Sequence, residues 1–189
     1  MNHELLQGKY VRLTAENPEV NASAEARWWQ DSEYFRLLDS ESPHLWSEKK
    51  LKEWFEKGLE KEDPHSFGFS IRTVEGDKVI GFVALFALSW KDGDTLAAIA
   101  IGEREYWGKG FGTEAMNLLL GYTFRELNLR RVGLIVFEYN LRAIRSYEKV
   151  GFIHEGRIRG AMLREGKRWD WLMMGLLREE WEARQKEVV

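Results

Sequence analysis

Cysteine is absent from the 189-residue sequence, and proline and histidine are scarce, with three and four residues. Without cysteine the chain has no disulfide bond, no thiolate nucleophile and no cysteine-based metal site. The histidines lack the spacing that metal ligands share, so we expect no metal site; they are His3, His44, His65 and His154. The few prolines, with 44% hydrophobic and 31% charged residues, indicate a globular fold rather than a disordered chain.

Long apolar runs and an excess of positive charge are missing as well. No apolar run approaches the length of a membrane span, and the opening MNHELLQGKY has no apolar segment of the kind found in secretory leaders. The net charge is −3, whereas proteins that bind nucleic acid non-specifically carry a clear excess of lysine and arginine. We therefore expect a cytoplasmic protein with no nucleic-acid partner and no membrane partner.

Aromatic residues, by contrast, are plentiful: they make up 13% of the chain and include nine tryptophans. Several fall early in the sequence, at Trp28, Trp29, Tyr34, Phe35, Trp46, Trp54 and Phe55. At helical spacing such residues usually build a core, but aromatic walls are also typical of ligand pockets. Both interpretations stay open from the sequence.

The hydrophobic pattern predicts a mixed α/β fold in one domain over residues 1–189. The first half reads as a strand (residues 9–15), a helix after Pro18, a second helix in SEKKLKEWFEKGLEK with Ser47 as its cap, and an antiparallel meander of three strands. The meander lies in SFGFSIRTV, KVIGFVALFAL and TLAAIAIG. One face of the second helix is predicted to carry Leu51, Trp54, Phe55 and Leu59.

The second half predicts a helix over residues 113–127, a buried strand in RRVGLIVFE, and a helix in NLRAIRSYEKVGF that begins at Asn140 and ends at Gly151. A hairpin turning at EGK (165–167) follows, and the charged segment REEWEARQKE closes the chain as a short helix. The predicted order is β, α, α, β, β, β, α, β, α, β, β. It gives an antiparallel front and one β-α-β crossover.

The turn EREYWGKGFGT stands at the strand-to-helix junction of that crossover and places glycine at every second position. A helix N-terminus has free N–H groups and partial positive charge, and glycines let an anion approach them. The spacing does not match the P-loop motif, because Gly108-Lys109 is followed by Gly110 rather than Ser or Thr. It also fails the dinucleotide fingerprint, because the third glycine comes one residue early and no acid follows about 20 residues on. A tight turn without a ligand is the alternative.

With these motifs the chain resembles the GNAT superfamily of N-acetyltransferases, in the branch of ribosomal-protein and spermidine acetyltransferases. IGEREYWGKGFGTEA resembles the family's motif A, NLRAIRSYEKVGF its motif B, and WDWLMMGLLREEW the ending of this branch. The resemblance implies a central, mostly antiparallel twisted sheet with one β-α-β crossover and flanking helices. It also implies acetyl-CoA as co-substrate, its pyrophosphate in the glycine turn and its pantetheine between two splayed strands, with no metal.

The resemblance assigns coenzyme binding to three groups of residues. They are Ala100, Ile101 and Gly102 on the strand; Trp107, Gly108, Lys109, Gly110, Phe111, Gly112 and Thr113 in the turn; and Asn140, Tyr147 and Lys149 in the second motif. The family's loop usually opens with Gln or Arg, and Trp107 in that position moves the binding of the diphosphate to main-chain amides. Arg142 and Arg145 fit either the coenzyme phosphates or a solvated surface.

The chemistry implied is direct acetyl transfer to an amine, because the chain has no cysteine and no G-x-S-x-G elbow for an acyl-enzyme. By resemblance Tyr147, seven residues after Asn140, is the acid that protonates the leaving thiolate; a core tyrosine and Ser146 are the alternatives. Glu103 is the predicted general base. Competing candidates are Glu105 and Glu138.

The predicted function is therefore acetylation of a primary amine: a polyamine or other small amine, an aminoglycoside-like compound, or a protein N-terminus. A silent acyl-CoA-binding sensor with the same fold is the alternative. Asp39, Glu41 and His44 fit an acceptor site for a cationic amine or a solvated loop. The branch and the apolar run from Trp169 to Leu177 favour a homodimer, although a buried strand explains that run equally well.

Overall fold

The computed structural model of the protein describes residues 5–61 and 63–187. Its strands are β1 (Val11–Thr14), β2 (Phe67–Thr73), β3 (Val79–Ser89), β4 (Asp94–Ile101), β5 (Arg131–Phe137), β6 (Ile153–Arg164) and β7 (Lys167–Leu177). Its helices are α1 (Pro18–Trp28), α2 (Ser32–Leu38), α3 (Glu48–Glu60), α4 (Phe111–Arg125), α5 (Leu141–Val150) and α6 (Arg178–Glu187), with a 3₁₀ helix at Arg104–Tyr106. The strands form a seven-stranded sheet in the order β1-β2-β3-β4-β5-β7-β6.

The predicted order of elements is confirmed, including the closing helix, but the sequence pattern missed α2 and the 3₁₀ helix. Both are too short to show a helical period. Helix α2 spans seven residues and is specified mainly by its cap: the Asp31 carboxylate accepts hydrogen bonds from Glu33 N at 3.0 Å and Tyr34 N at 3.3 Å. This small helix lies in the aromatic and acidic segment that precedes α3.

The predicted helix ends are confirmed at three positions. Ser47 Oγ accepts a hydrogen bond from Lys50 N at 3.3 Å, and Asn140 Oδ1 accepts one from Ala143 N at 3.1 Å. Gly151 ends α5 in the left-handed region, with φ of 119°, which a glycine adopts without strain.

Two layers of helices cover the sheet. Helix α4 packs on the face that carries Val83 and Leu85, in the main core, whereas Trp28 and Tyr34 pack with Ala100 on the opposite face. On α3 the predicted apolar stripe is only half right. Leu51 and Phe55 are buried, but Trp54 and Leu59 are 55% and 53% exposed, because α3 lies at the outside of its layer and contacts α1 rather than the sheet.

The apolar run from Trp169 to Leu177 lies in β7, between β5 and β6. The hairpin turns where predicted, with φ of 53° at Glu165 and 72° at Gly166. Pairing on both sides accounts for the hydrophobicity of β7 without a second copy of the chain. The homodimer therefore stays a prediction.

The sheet opens between β4 and β5, the parallel pair in it. These strands pair only from Asp94↔Arg131 to Leu96↔Gly133. Beyond Leu96, β4 continues alongside β3 as far as Ile101, while β5 continues alongside β7 as far as Phe137. The two strands therefore diverge, and one edge of β4 faces an opening rather than a partner strand.

Candidate active site

A cavity of about 850 Å³ occupies the opening between β4 and β5. Its walls come from β4 and β5, the glycine turn before α4, helix α5, and the end of α2. The sequence-predicted residues that line it are Ala100, Ile101, Trp107, Gly108, Gly110, Gly112, Thr113, Asn140, Tyr147 and Lys149. Arg142, Arg145, Ser146 and Asp39 also line it. Two distant motifs of the sequence thus meet at one site.

The glycine turn presents main-chain N–H groups to this cavity. Gly108 and Gly110 have φ of 71° and 91°, a conformation that other residues adopt only with strain. Gly110 caps α4 without a side-chain hydrogen bond, and the first helical bond runs from Glu114 N to Gly110 O at 2.9 Å. The N–H groups of residues 111–113 therefore lack helical partners, which is the arrangement that binds phosphate at helix N-termini.

Trp107 joins the turn to the end of β4. Its Nε1 donates a hydrogen bond to Ile101 O at 2.6 Å, so the indole offers no donor to a ligand. The guanidinium groups of Arg142 and Arg104 lie 3.9 Å and 5.0 Å from the ring centroid. Burial is the largest influence on Arg142 and lowers its pKa. The Trp107 ring thus holds the turn against the end of β4, and the Arg142 guanidinium packs on it at the cavity wall.

The open edge of β4 carries polar main-chain groups. Gly102 N donates to Ile80 O on β3 at 2.8 Å, and antiparallel hydrogen bonding alternates along a strand. The even-numbered residues of β4 are thus engaged with β3. The parallel pair Leu96↔Gly133 uses the N–H of Ala97, and Trp107 occupies the carbonyl of Ile101. The groups directed to the opening are therefore the C=O of Ala97, both main-chain groups of Ile99 and the N–H of Ile101. The sequence did not point to Ala97 and Ile99, because which edge of a strand stays unpaired depends on the strands that lie beside it in the fold.

Gly102 does not line the cavity, contrary to the sequence prediction. A Cβ at this position would lie 1.9 Å from Trp28 Cδ2. The residue is glycine because the Trp28 ring packs directly on its Cα.

Phe111 and Lys109 are likewise outside the cavity lining. The Phe111 ring packs against Tyr10 and Tyr106, with centroid distances of 5.5 Å and 4.8 Å. Its side chain therefore belongs to the packing of the helix, and only its main chain belongs to the turn.

Tyr147 lines the cavity and is 9% exposed. Burial raises the pKa of its hydroxyl to about 12, so the phenol stays protonated throughout the neutral range. Within residues 5–61 and 63–187 no group hydrogen-bonds this hydroxyl. The neighbouring Ser146 Oγ lies 2.8 Å from Thr113 Oγ1 and links α5 to the first turn of α4.

Asn140 is buried and both ends of its amide are engaged. Besides capping α5, its Nδ2 donates to Leu37 O at 3.3 Å. Arg164 holds the same region: it donates to Arg36 O at 2.6 Å and to Asp39 O at 2.9 Å. These bonds fix the end of α2 against the cavity, and nothing in the sequence pattern pointed to Arg164.

Glu103, the predicted base, does not line the cavity. Its carboxylate accepts hydrogen bonds from Arg27 at 3.1 Å, from Trp28 Nε1 at 3.0 Å and from Lys78 at 3.0 Å. Partial burial acts to raise the pKa of Glu103, but these hydrogen bonds together lower it below its usual range. A carboxylate so engaged is a poor proton acceptor, and the geometry therefore argues against this role.

The competing carboxylates are engaged elsewhere too. Glu105 accepts a hydrogen bond from Lys78 at 2.7 Å, and Glu138 accepts one from Asp170 N at 2.9 Å. Neither lines the cavity, and neither do Glu41 and His44. Among the described residues, the acidic residue that lines the cavity is Asp39.

None of the helices within residues 5–61 and 63–187 has the length and hydrophobicity of a membrane span. No group of three or more His, Cys, Asp or Glu residues in these ranges is placed to hold a metal ion.

The sequence and the fold are both similar to those of known proteins. The N-acetyltransferase YokL from the SPbeta prophage of Bacillus subtilis (strain 168), itself uncharacterized, is 34% identical over 154 residues, which cover 80% of this chain and 82% of that protein. Spermidine N(1)-acetyltransferase of Escherichia coli (strain K12) is 35% identical over 82 residues, covering 43% of this chain and 44% of the enzyme. The structure of spermidine N-acetyltransferase from Vibrio cholerae in complex with CoA and spermine aligns with a TM-score of 0.80 and 24% identity, covering 91% of this chain and 98% of that one.

The fold, the opened sheet and these relatives define an acyl-group transferase of the N-acetyltransferase class. More closely, the chain belongs to the family of the acetyltransferase (GNAT) domain, whose family model matches residues 12–153. The resemblance drawn from the two sequence motifs is confirmed, and so is the predicted fold class.

Proposed function

We propose that this N-acetyltransferase takes its acetyl group from acetyl-CoA and passes it directly to a primary amine while both substrates are bound. One observation carries the proposal: the bare N–H groups of the α4 N-terminus and the open edge of β4 border the same cavity. The helix end suits a diphosphate, and the strand edge suits the amide groups of a pantetheine arm. The Vibrio cholerae enzyme of the same fold was crystallised with CoA.

The β4 edge also supplies the donors that the reaction needs. Attack of the amine nitrogen on the thioester carbon gives a tetrahedral intermediate with a negative oxygen. A main-chain N–H of Ile99 or Ile101 is placed to stabilise that charge, and strand donors require no reorganisation. No cysteine is present to form an acyl-enzyme instead.

Tyr147 is the proposed acid for the departing sulfur. Collapse of the intermediate breaks the C–S bond, the hydroxyl gives its proton to the thiolate, and the proton released by the nitrogen restores the phenol through solvent. The pKa of about 12 keeps that proton in place at neutral pH, and the hydroxyl has no protein partner among the described residues. Asp39 replaces Glu103 as our candidate for receiving the proton of the incoming ammonium, acting through water.

The acceptor is a primary amine, for which small amines are our first choice because two spermidine acetyltransferases are among the similar proteins. Aminoglycoside-like compounds and protein N-termini are the other members of the class. The cytoplasmic location and the homodimer stay predictions from the sequence.

The test is an amine panel with release of CoA as the readout, run on the protein and on Tyr147→Phe. Phenylalanine keeps the ring packed against Phe152 and removes only the hydroxyl, so we expect kcat to fall by about 100-fold or more and acetyl-CoA affinity to stay within about twofold. Tyr122→Phe is the matched control, since that ring packs against Phe67 and Phe69 away from the cavity. Tight acetyl-CoA binding with no release for any amine would favour the sensor instead.

A further inference from the structure

Trp171 lines the cavity from the sheet face opposite α4. Val136 and Leu172 belong to the core beneath α4, and successive strand residues point to opposite faces. Phe137 and Trp171, which pair directly on β5 and β7, therefore project to the other face, where both line the cavity. The Nε1 atom of Trp171 is enclosed and has no hydrogen-bond partner in the described residues. An indole N–H can only donate a hydrogen bond, so its partner must be an acceptor.

Tyr34 provides a second unpaired group, on the β4 side of the opening. It is 2% exposed, packs with Ala100 and lines the cavity. Its hydroxyl is enclosed and finds no hydrogen-bond partner within residues 5–61 and 63–187. Burial raises the pKa of this hydroxyl well above its usual range, so it keeps its proton and can donate at neutral pH. Buried polar groups are almost always paired, and two enclosed, unpaired donors beside one cavity therefore indicate where a ligand forms hydrogen bonds.

The charged residues of the cavity lining are unevenly divided. Arg142, Arg145 and Lys149 on α5 supply three cations, whereas Asp39 is the one acidic residue that the described part of the chain contributes. The cations suit the phosphates of the coenzyme, and a single carboxylate suits a single ammonium group. An acceptor with two cationic nitrogens would leave one of them without a carboxylate in this lining, which is unfavourable in a partly enclosed place.

The fold holds these groups in place before a ligand binds. The main-chain carbonyl of Asp39 accepts a hydrogen bond from Arg164 at 2.9 Å, and that of Leu37 accepts one from Asn140 Nδ2 at 3.3 Å. Trp171 lies within β7, which is paired on both sides. A site whose polar groups are fixed in advance discriminates between ligands by their hydrogen-bonding groups, because a ligand without the matching group leaves them unpaired.

We propose that the acceptor is an amine with one positive charge and a neutral oxygen close to it, a hydroxyl or an amide carbonyl, that accepts hydrogen bonds from Trp171 and Tyr34 while Asp39 binds the ammonium group. The inference rests on the proposed function and narrows its acceptor to amino alcohols and amino amides. It separates this chain from the spermidine acetyltransferases of the same fold, because a polyamine at neutral pH offers donors where Trp171 needs an acceptor.

The experiment compares amines of equal length that differ in one end group. 3-Amino-1-propanol, butylamine and 1,3-diaminopropane end in a hydroxyl, a methyl and an ammonium group. With saturating acetyl-CoA, we expect kcat/KM for the amino alcohol to exceed that of each of the other two by about tenfold, the value of one hydrogen bond to an enclosed donor. β-Alaninamide against 3-methylbutylamine makes the same comparison for a carbonyl oxygen and shows which of the two oxygens the site prefers.

Two variants connect this preference to the unpaired donors. Trp171→Phe and Tyr34→Phe should each reduce the preference for the amino alcohol over butylamine from about tenfold to about twofold or less. Differences in basicity between the amines cancel, because the same pair is compared on every variant. Trp169→Phe is the matched control and should keep the tenfold ratio, since Trp169 lies on the same strand, packs against Tyr139 at 5.1 Å and is outside the cavity lining.

A ratio that is the same in the protein and in both cavity variants, or that falls equally in Trp169→Phe, would overturn the inference and leave the proposed function standing. Faster turnover of 1,3-diaminopropane than of the amino alcohol would overturn it as well. If no amine is turned over, the proposed function fails, and calorimetric binding of 3-amino-1-propanol to the CoA-bound protein decides on the polar site alone: weaker binding to Trp171→Phe supports it, and equal binding overturns it. Tyr34→Phe removes a single oxygen atom and keeps the test open should Trp171→Phe not fold.

Discussion

The ionisation of Glu25 is strongly coupled to the fold. Burial is the largest influence and raises its pKa from 4.5 to about 7; the Trp29 hydrogen bond lowers the pKa, and the charge of Glu16 makes the smallest contribution, which raises it. Because the folded pKa is the higher one, the folded state holds this proton more tightly than the unfolded chain does. The associated stability is complete below pH 4.5 and is lost as the pH rises through 7.

We therefore expect Glu25→Gln, which mimics the protonated acid, to be more stable than the natural protein at pH 8 by about 3 kcal/mol, and nearly equal to it at pH 4.5. Urea unfolding at a series of pH values measures this difference. Parallel stability curves for the two proteins would contradict it. Glu19→Gln, with its exposed carboxylate, should follow the natural protein throughout.

Trp107 gives a second prediction at this scale. In Trp107→Phe the ring stays between Arg104 and Arg142, but Ile101 O loses the hydrogen bond from Nε1. Loss of one neutral hydrogen bond costs about 1 kcal/mol, so we expect the Kd for acetyl-CoA to rise about fivefold while kcat at saturation changes little. Calorimetric titration with acetyl-CoA provides the measurement, and an unchanged Kd would show that the indole N–H does not hold the turn.

At the scale of elements, the glycine turn depends on a contact with the N-terminal segment. The Glu114 carboxylate, in the first turn of α4, accepts hydrogen bonds from Lys9 N, Tyr10 N and Val11 N at 2.9, 2.7 and 2.8 Å. Gly8 allows this approach, since a Cβ there would lie 2.5 Å from Glu114 Cδ. One carboxylate thus ties β1 to the helix whose N-terminus faces the cavity.

Replacing that carboxylate tests the tie. We expect Glu114→Ala to lower the free energy of unfolding by about 2 kcal/mol, because three N–H groups lose a charged acceptor in a partly solvated place. The same variant should weaken acetyl-CoA binding, as the start of α4 loses its support. Glu126→Ala, at the exposed far end of α4, should do neither; equal effects in both variants would rule out a specific tie.

At the scale of the whole molecule, the opened sheet exposes polar strand edges that a bound ligand would cover. We expect acetyl-CoA at 100 times its Kd to stabilise the protein by about 3 kcal/mol, which corresponds to a rise in Tm of roughly 5–10 °C for a chain of this length. ATP and NAD should give no comparable rise, because the turn fits neither nucleotide fingerprint. A thermal shift assay with the three ligands decides between these outcomes.

Much of the fold could be predicted because the signals are local. Caps at Ser47 and Asn140, the glycine at 151 and the periods of the longer elements depend on neighbours in the sequence. Helix α2 was not predicted, because a segment of seven residues is too short to show a helical period in its apolar residues. The predicted buried face of α3 was too wide, because the spacing of apolar residues along a helix does not tell how far that helix lies from the sheet.

The candidate site divides in the same way. By itself the sequence determined the chemistry available, namely a glycine turn opening a helix, a tyrosine seven residues after a cap, and no cysteine, because these are matters of composition and spacing along one chain. Only the tertiary structure decided which groups face the cavity. The cavity lining excludes Glu103 and Gly102 and includes Ala97, Ile99 and Tyr34. The physical reason is that burial, strand pairing and charge partners come from residues tens of positions away, which a local pattern does not specify.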